Sequence, residues 1–167
     1  MKKYKLIIIS LSFLVILGLL VYFIKMLGFG VTHQFTDSMK KGVFIYAPLP
    51  QKIKQNDVVL FNLSSKWLKF LLNKGYLKKS IPVMKKVFAT QGDLVCIKRG
   101  KVYINHRFIS KVLQFDHKNN RLPKVKICRI LKNGEFFLMS TKIPNSFDSR
   151  YMGIIKRAQI FARVINY

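Results

Sequence analysis

Acidic side chains are the scarcest chemistry in this chain. Six Asp and Glu stand against 31 Lys and Arg in 167 residues, a formal charge of +25. Such an excess points to nucleic acid, anionic lipid or an acidic partner. Setting aside Lys2, Lys3, Lys5 and Lys25, which flank an apolar run, leaves 27 basic residues against the same six acidic ones, so the remainder is basic in its own right. Cysteine is almost as rare. Cys96 and Cys128 lie in no metal-ligand pattern, and His33, His106 and His117 lack the paired spacing of a zinc site. Neither a metal nor a cofactor is therefore expected. The two cysteines are compatible with a disulfide and equally with two inert buried thiols. Internal repeats and low-complexity tracts are missing, which sets aside solenoids and disordered tails. A core needs roughly 100 residues to bury most of its surface, so the chain holds one modest domain plus an anchor.

The anchor is residues 6–24, LIIISLSFLVILGLLVYFI, a run without charge. About 20 such residues at 1.5 Å each cross a bilayer core. Lys2, Lys3 and Lys5 precede it and Lys25 alone follows closely, so the positive-inside bias predicts a cytoplasmic N-terminus at residues 1–5 and an extracytoplasmic domain over residues 25–167. A cleavable signal peptide is the rival reading. The run exceeds the usual core of one, and no small-x-small cleavage pattern follows, Gly28 and Gly30 being the nearest approach.

Beyond the anchor the pattern is mainly β. Short runs rich in β-branched and aromatic residues occur at Val43–Tyr46, Asp57–Phe61, Pro82–Ala89, Leu94–Ile97, Val102–Ile104 and Phe136–Met139, with Gly, Asn, Asp and Pro between them. Lys98–Lys101 reads as a tight turn, and Ala158–Ile165 as the last strand. Residues 64–79 break the pattern. Ser64 or Ser65 caps a predicted amphipathic helix whose Trp67, Leu68, Leu71 and Leu72 form an apolar stripe, with Gly75 as its stop. Its Lys66, Lys69, Lys74, Lys78 and Lys79 suit an anionic bilayer surface, and suit equally a helix packed on the β core with solvated lysines.

The chemistry concentrates in three stretches. Thr36-Asp37-Ser38-Met39 places a hydroxyl just past the anchor, Met84 to Asp93 carries a pair of lysines, and Pro144 to Gly153 contains Ser146-Phe147-Asp148-Ser149-Arg150-Tyr151. The order Ser-Met, then Lys-Lys-Val-x-Ala-x-x-Gly-Asp, then Tyr-Ile-Asn, then Ser-Phe-Asp-Ser-Arg-Tyr-x-Gly resembles the type I signal peptidases. In particular it is similar to their conjugative-transfer, TraF-like branch, which matures pilin subunits. The resemblance implies a signal-peptidase-like β domain held at the inner membrane, facing the periplasm or another extracytoplasmic space, and acting as a Ser/Lys-dyad serine endopeptidase. Ser38 matches the nucleophile and Lys85 the general base. Thr36 occupies a place where a hydroxyl often helps to bind the oxyanion, Ser146 matches a serine that orients the lysine, and Asp148 and Arg150 match a supporting pair. Two departures stand out. Gln91 replaces a frequent proline, and Ser140-Thr141-Lys142-Ile143 replaces a frequent Gly-Asp-Asn-Arg, which shifts the expectation from a housekeeping leader peptidase to a specialised one. The implied partner is a membrane-inserted, pilin-like precursor beside an anionic lipid surface, with no nucleic acid expected.

The lysine can be argued physically. A solvated lysine titrates near 10.4 and is protonated at neutral pH, so burial must lower its pKa before it can take a serine proton. On a strand, Lys85 shares a face with Ile81, Val83 and Val87, and Lys86 shares the other with Met84 and Phe88, so alternation alone does not choose between them. The family match selects Lys85. A His33/Asp37/Ser38 triad has the right residue types but crowds them within six positions, whereas triads draw on separate elements. The non-enzymatic alternative is a basic, membrane-anchored component of a transfer or secretion apparatus.

Overall fold

The computed structural model describes residues 2–140 and 145–167. Helix α1 spans Lys2–Met26. Within it Tyr4–Met26 has a mean hydropathy of 2.9, is not buried by the rest of the described residues, and is long and apolar enough to cross a membrane. It overruns the expected 6–24 at both ends because no helix breaker intervenes before Gly28, whose φ of +84° an L side chain rarely adopts.

The body consists of two antiparallel sheets. Strands β1 (Gly30–Gln34), β2 (Gly42–Pro48), β3 (Val58–Phe61), β4 (Val83–Ala89), β9 (Glu135–Met139), β10 (Ile155–Lys156) and β11 (Ile160–Val164) form the larger one, in the order β1-β2-β11-β3-β4-β9-β10. Strands β5 (Leu94–Lys98), β6 (Lys101–Ile104), β7 (Arg107–Lys111) and β8 (Cys128–Ile130) form the smaller, ordered β7-β6-β5-β8. The mainly β expectation holds, and every anticipated strand is present. The last is shortened, since Arg157–Gln159 forms a 3-10 turn before β11 begins at Ile160. The four strands not anticipated, β1, β7, β8 and β10, are the four sheet edges. Edge strands bury little, so they leave a weak apolar signal.

Three apolar clusters hold these layers together. Val59, Phe61, Val87 and Leu138 lie on one face of the large sheet. Met39, Phe44, Leu60 and Met84 lie on the other. Ala89, Phe137 and Met139 join the large sheet to Val95, Val102 and Ile104 of the small one. Cys96 and Cys128 stand opposite each other in the β5–β8 register and form a disulfide, which resolves the alternatives left open by the sequence.

Helix α2 (Ser65–Asn73) lies between β3 and β4 in the chain. Ser64 occupies its N-cap position, but the side chain makes no capping hydrogen bond. Its end is sharply defined. Gly75 takes φ +69°, Gly75 N–H donates to the Leu72 carbonyl at 3.0 Å and Tyr76 N–H to the Leu71 carbonyl at 2.9 Å, the pair of hydrogen bonds that closes a helix through a left-handed residue. The buried stripe differs from the expected one in one residue. Leu71 is buried, Trp67 and Leu68 are half-buried, and Leu72 is exposed. Phe70 packs in its place, its ring centroid 5.4 Å from that of Phe147. The helix therefore packs on the β domain through its aromatic face.

Candidate active site

Ser38 sits in the loop joining β1 to β2, and its neighbour Met39 explains why it stays there. Met39 is fully buried among Phe44, Leu60 and Met84. Burying such a side chain is worth about 1.5–3 kcal/mol, which pins the loop to the sheet. Ser38 itself is buried, with its Oγ 2.9 Å from Lys85 Nζ. The structure thus separates the two lysines that alternation left equivalent. Lys85 lies opposite Val59 on the β3–β4 ladder and is 3% exposed, while Lys86 is half-buried.

Burial moves Lys85 from 10.5 down to about 8. The Asp148 carboxylate opposes this shift, and the Arg150 guanidinium adds to it. An apolar surround has therefore made the neutral amine accessible near physiological pH, as a base requires.

Thr36 Oγ1 lies 3.0 Å from Ser38 Oγ. Gln34 Nε2 donates to Thr36 Oγ1 at 2.6 Å and to the Thr36 carbonyl at 3.0 Å, which fixes the threonine and leaves its own proton free to be donated. On the other side, Ser140 Oγ donates to the Ser38 carbonyl. Gln34 and Ser140 were missed as site residues in the sequence. Gln34 precedes Thr36 by two positions on an edge strand with little apolar signal, and Ser140 stands out in the sequence only as a departure from a family pattern. The remainder of that departure, Thr141 to Ile143, lies outside the described residues.

Asp148 and Arg150 form a fully buried, two-pronged pair. Arg150 Nε donates to Asp148 Oδ1 at 2.8 Å and Arg150 Nη2 to Oδ2 at 2.7 Å. Burial works against the charge on Arg150, but the hydrogen bond and charge of Asp148 outweigh it and raise its pKa. The pair reaches outward to the backbone. Asp148 Oδ2 accepts from Ser140 N–H at 3.0 Å, and Arg150 Nη2 donates to the Ser146 carbonyl at 3.2 Å. Asp148 also caps the short helix α3 (Ser149–Met152) by accepting from Arg150 N–H. The pair therefore holds two segments around Ser38 without touching its hydroxyl. Ser146 Oγ is buried and has no hydrogen-bond partner among the described residues, so the serine expected to orient the lysine makes no hydrogen bond to Lys85 here.

His33 and Asp37 do not assemble with Ser38. The His33 ring lies 3.9 Å from the Phe35 ring, and Asp37 pairs with Lys41 at 2.7 Å on the surface. Among the described residues, no cluster of His, Cys, Asp and Glu could hold a metal ion.

Ser38 and Lys85 open onto a cavity of about 310 Å³, lined also by Leu71, Tyr76, Leu122 and Phe147. A hydroxyl beside a buried amine, in a cleft able to hold an apolar side chain, can perform acyl transfer.

A signal peptidase I from Enterococcus faecalis V583 is similar at 20% identity over 66% of this chain and 94% of its own, with a TM-score of 0.38. No curated protein matches. The family profile described as signal peptidase, peptidase S26, matches residues 3–167. With that match spanning almost the whole chain, the protein belongs to the S26 signal peptidases, a family of serine peptidases.

Proposed function

We propose that the protein is a single-pass signal peptidase of the TraF-like, conjugative-transfer branch, using Ser38 as nucleophile and Lys85 as general base to process an exported precursor. The observation that carries this reading is the 2.9 Å approach of Lys85 Nζ to Ser38 Oγ, made by a lysine that burial has driven toward neutrality. Neutral Lys85 accepts the Ser38 proton as Oγ attacks the scissile carbonyl. It then returns that proton to the leaving amine, giving an acyl-enzyme that water hydrolyses. The oxyanion is met by the Ser38 backbone N–H and the Thr36 hydroxyl, a donor type whose loss costs roughly 3 to 4 kcal/mol in comparable sites.

Helix α1 suits an anchor in the inner membrane, with residues 1–5 cytoplasmic and the domain of residues 25–167 extracytoplasmic. The face next to the anchor suits the membrane too. Val31 pairs with Ile45 and His33 with Val43, so their side chains share one side of the β1–β2 ribbon, and Val31 and Val43 are more than 60% exposed there. The exposed lysines of α2 suit an anionic lipid surface. The substrate class proposed is a membrane-inserted, pilin-like precursor of a conjugative apparatus.

The test is maturation of a co-expressed pilin precursor. Ser38→Ala and Lys85→Met each abolish processing, and Lys86→Met is milder. Processing that survives both of the first two changes overturns the assignment.

A further inference from the structure

We infer that Tyr76 sets the size of the precursor side chain that fits the cavity beside Ser38, and that Asp116 is the positioning residue that locks Tyr76 in place. This inference rests on the peptidase reading above. The cavity has two walls of different origin. Ser38 and Lys85 occupy one, while the other is built by α2 with the turn that follows it and by the loop between β7 and β8, which contributes Asp116 and Leu122.

Three features fix Tyr76 on that second wall. Gly75, at φ +69°, reverses the chain at the end of α2 so that Tyr76 N–H bonds back to the Leu71 carbonyl and its side chain returns toward the helix. The ring then packs near two others, with centroids 6.3 Å from Phe70 and 6.5 Å from Phe147. Finally, the Tyr76 hydroxyl donates to Asp116 Oδ2, linking α2 to the β7–β8 loop across 40 residues of chain. Burial, with the hydrogen bond and charge of Asp116 behind it, holds that hydroxyl at about 12, so it remains a donor throughout the physiological range.

Asp116 does not serve as a substrate ligand, because its oxygens are already engaged. Oδ1 accepts from Lys118 N–H at 2.8 Å and Asn120 N–H at 2.7 Å, and Oδ2 accepts from Asn120 Nδ2 at 2.9 Å as well as from Tyr76. A carboxylate offers about four acceptor positions, and all four are used. What the cavity presents to a peptide is therefore the aromatic ring that Asp116 holds. Phe147 extends the wall toward the catalytic side. It stacks on Tyr151 at 5.5 Å, next to the Asp148–Arg150 pair, so wall and site share one packed unit.

The experiment uses the full-length enzyme in detergent and precursor peptides that differ at a single residue. An extended peptide points alternate side chains the same way, so the first and third residues before the cleaved bond are each varied through Ala, Val, Leu and Phe. Tyr76→Ala raises kcat/KM for Leu or Phe relative to Ala at one of those positions by about tenfold or more, the scale on which pocket size discriminates apolar side chains. Tyr76→Phe keeps the ring and Asp116→Asn keeps the planar shape of the carboxylate, but each weakens the lock, and they move the same ratio part of the way. The ratio is read within one enzyme preparation, so it is insensitive to how much of a variant is folded. Unchanged ratios in Tyr76→Ala and Asp116→Asn, with the Ala peptide still cleaved, overturn the inference alone. A wild-type enzyme that cleaves none of the peptides overturns the peptidase reading and the inference with it.

Discussion

Lys85 Nζ lies 2.9 Å from Ser38 Oγ across 47 residues of sequence, one on a central strand and the other on a loop held down by Met39. Two rigid features thus meet at the reacting pair, and the properties of each can be tested separately.

The first concerns pH. Lys85 acts as a base only when neutral, and its pKa is lowered from 10.5 to about 8. The rate constant kcat/KM therefore rises with pH, reaching half its plateau near 8. A pH profile with a precursor peptide checks this. A rate that falls through that region would show that the protonated amine is the active form.

The same shift makes a stability prediction of the opposite kind. The folded state holds a lysine at about 8 that the unfolded chain holds at 10.5, so below 8 the group opposes folding by about 3 kcal/mol. Between those two values the unfolded chain binds more protons than the folded one, and stability rises with pH. Lys85→Met removes the penalty. The inactive variant melts at a higher temperature than wild type at neutral pH, and the gap narrows as pH rises from about 8 to 10.5.

Asp148 and Arg150 give a third. Each is the other's buried counter-ion, so removing one strands a charge, at a cost of roughly 3 to 5 kcal/mol. Arg150→Met and Asp148→Ala each lower the melting temperature sharply, whereas the double change recovers part of the loss. A double-mutant cycle by chemical denaturation measures that recovery. Two losses that simply add would mean the residues act independently.

Met39 supplies the fourth. Met39→Ala empties a fully buried site and costs about 2 to 5 kcal/mol of stability. Because Met39 is the anchor of the nucleophile loop, the variant also loses kcat at temperatures where it stays folded. Met39→Leu, close in volume, retains most of both. Circular dichroism melts alongside single-turnover cleavage separate the two effects.

Much of this arrangement was legible in the sequence, and what was not has identifiable causes. The central strands announced themselves because Val58–Phe61 and Glu135–Met139 are buried along their length. That same two-sided burial hid the choice between Lys85 and Lys86, since either lysine has apolar neighbours. The family match selects Lys85, and in the structure its burial and its approach to Ser38 distinguish the two. Edge strands escaped notice for the converse reason, illustrated by Cys128–Ile130, which is exposed throughout. The cysteine pairing depends on the β5–β8 register, and β8 was one of those edges. Tyr76 and Asp116 meet through a loop without regular pattern, which no periodicity reveals. Phe70 stays hidden in the sequence because Leu72 completes the helical stripe, although Phe147 selects an aromatic partner.

The Cys96–Cys128 bridge spans 32 positions, and Asp116 lies inside the closed loop. Joining those ends removes from the unfolded chain a freedom worth roughly 3 to 4 kcal/mol on chain-entropy grounds. The contribution falls on a segment that holds β6, β7 and the irregular stretch between β7 and β8, which supplies part of one wall of the cavity. Covalent closure of this loop thus lets a region with little regular structure behave as a wall, so that the shape of a peptide-binding surface is inherited from the topology of a crosslink.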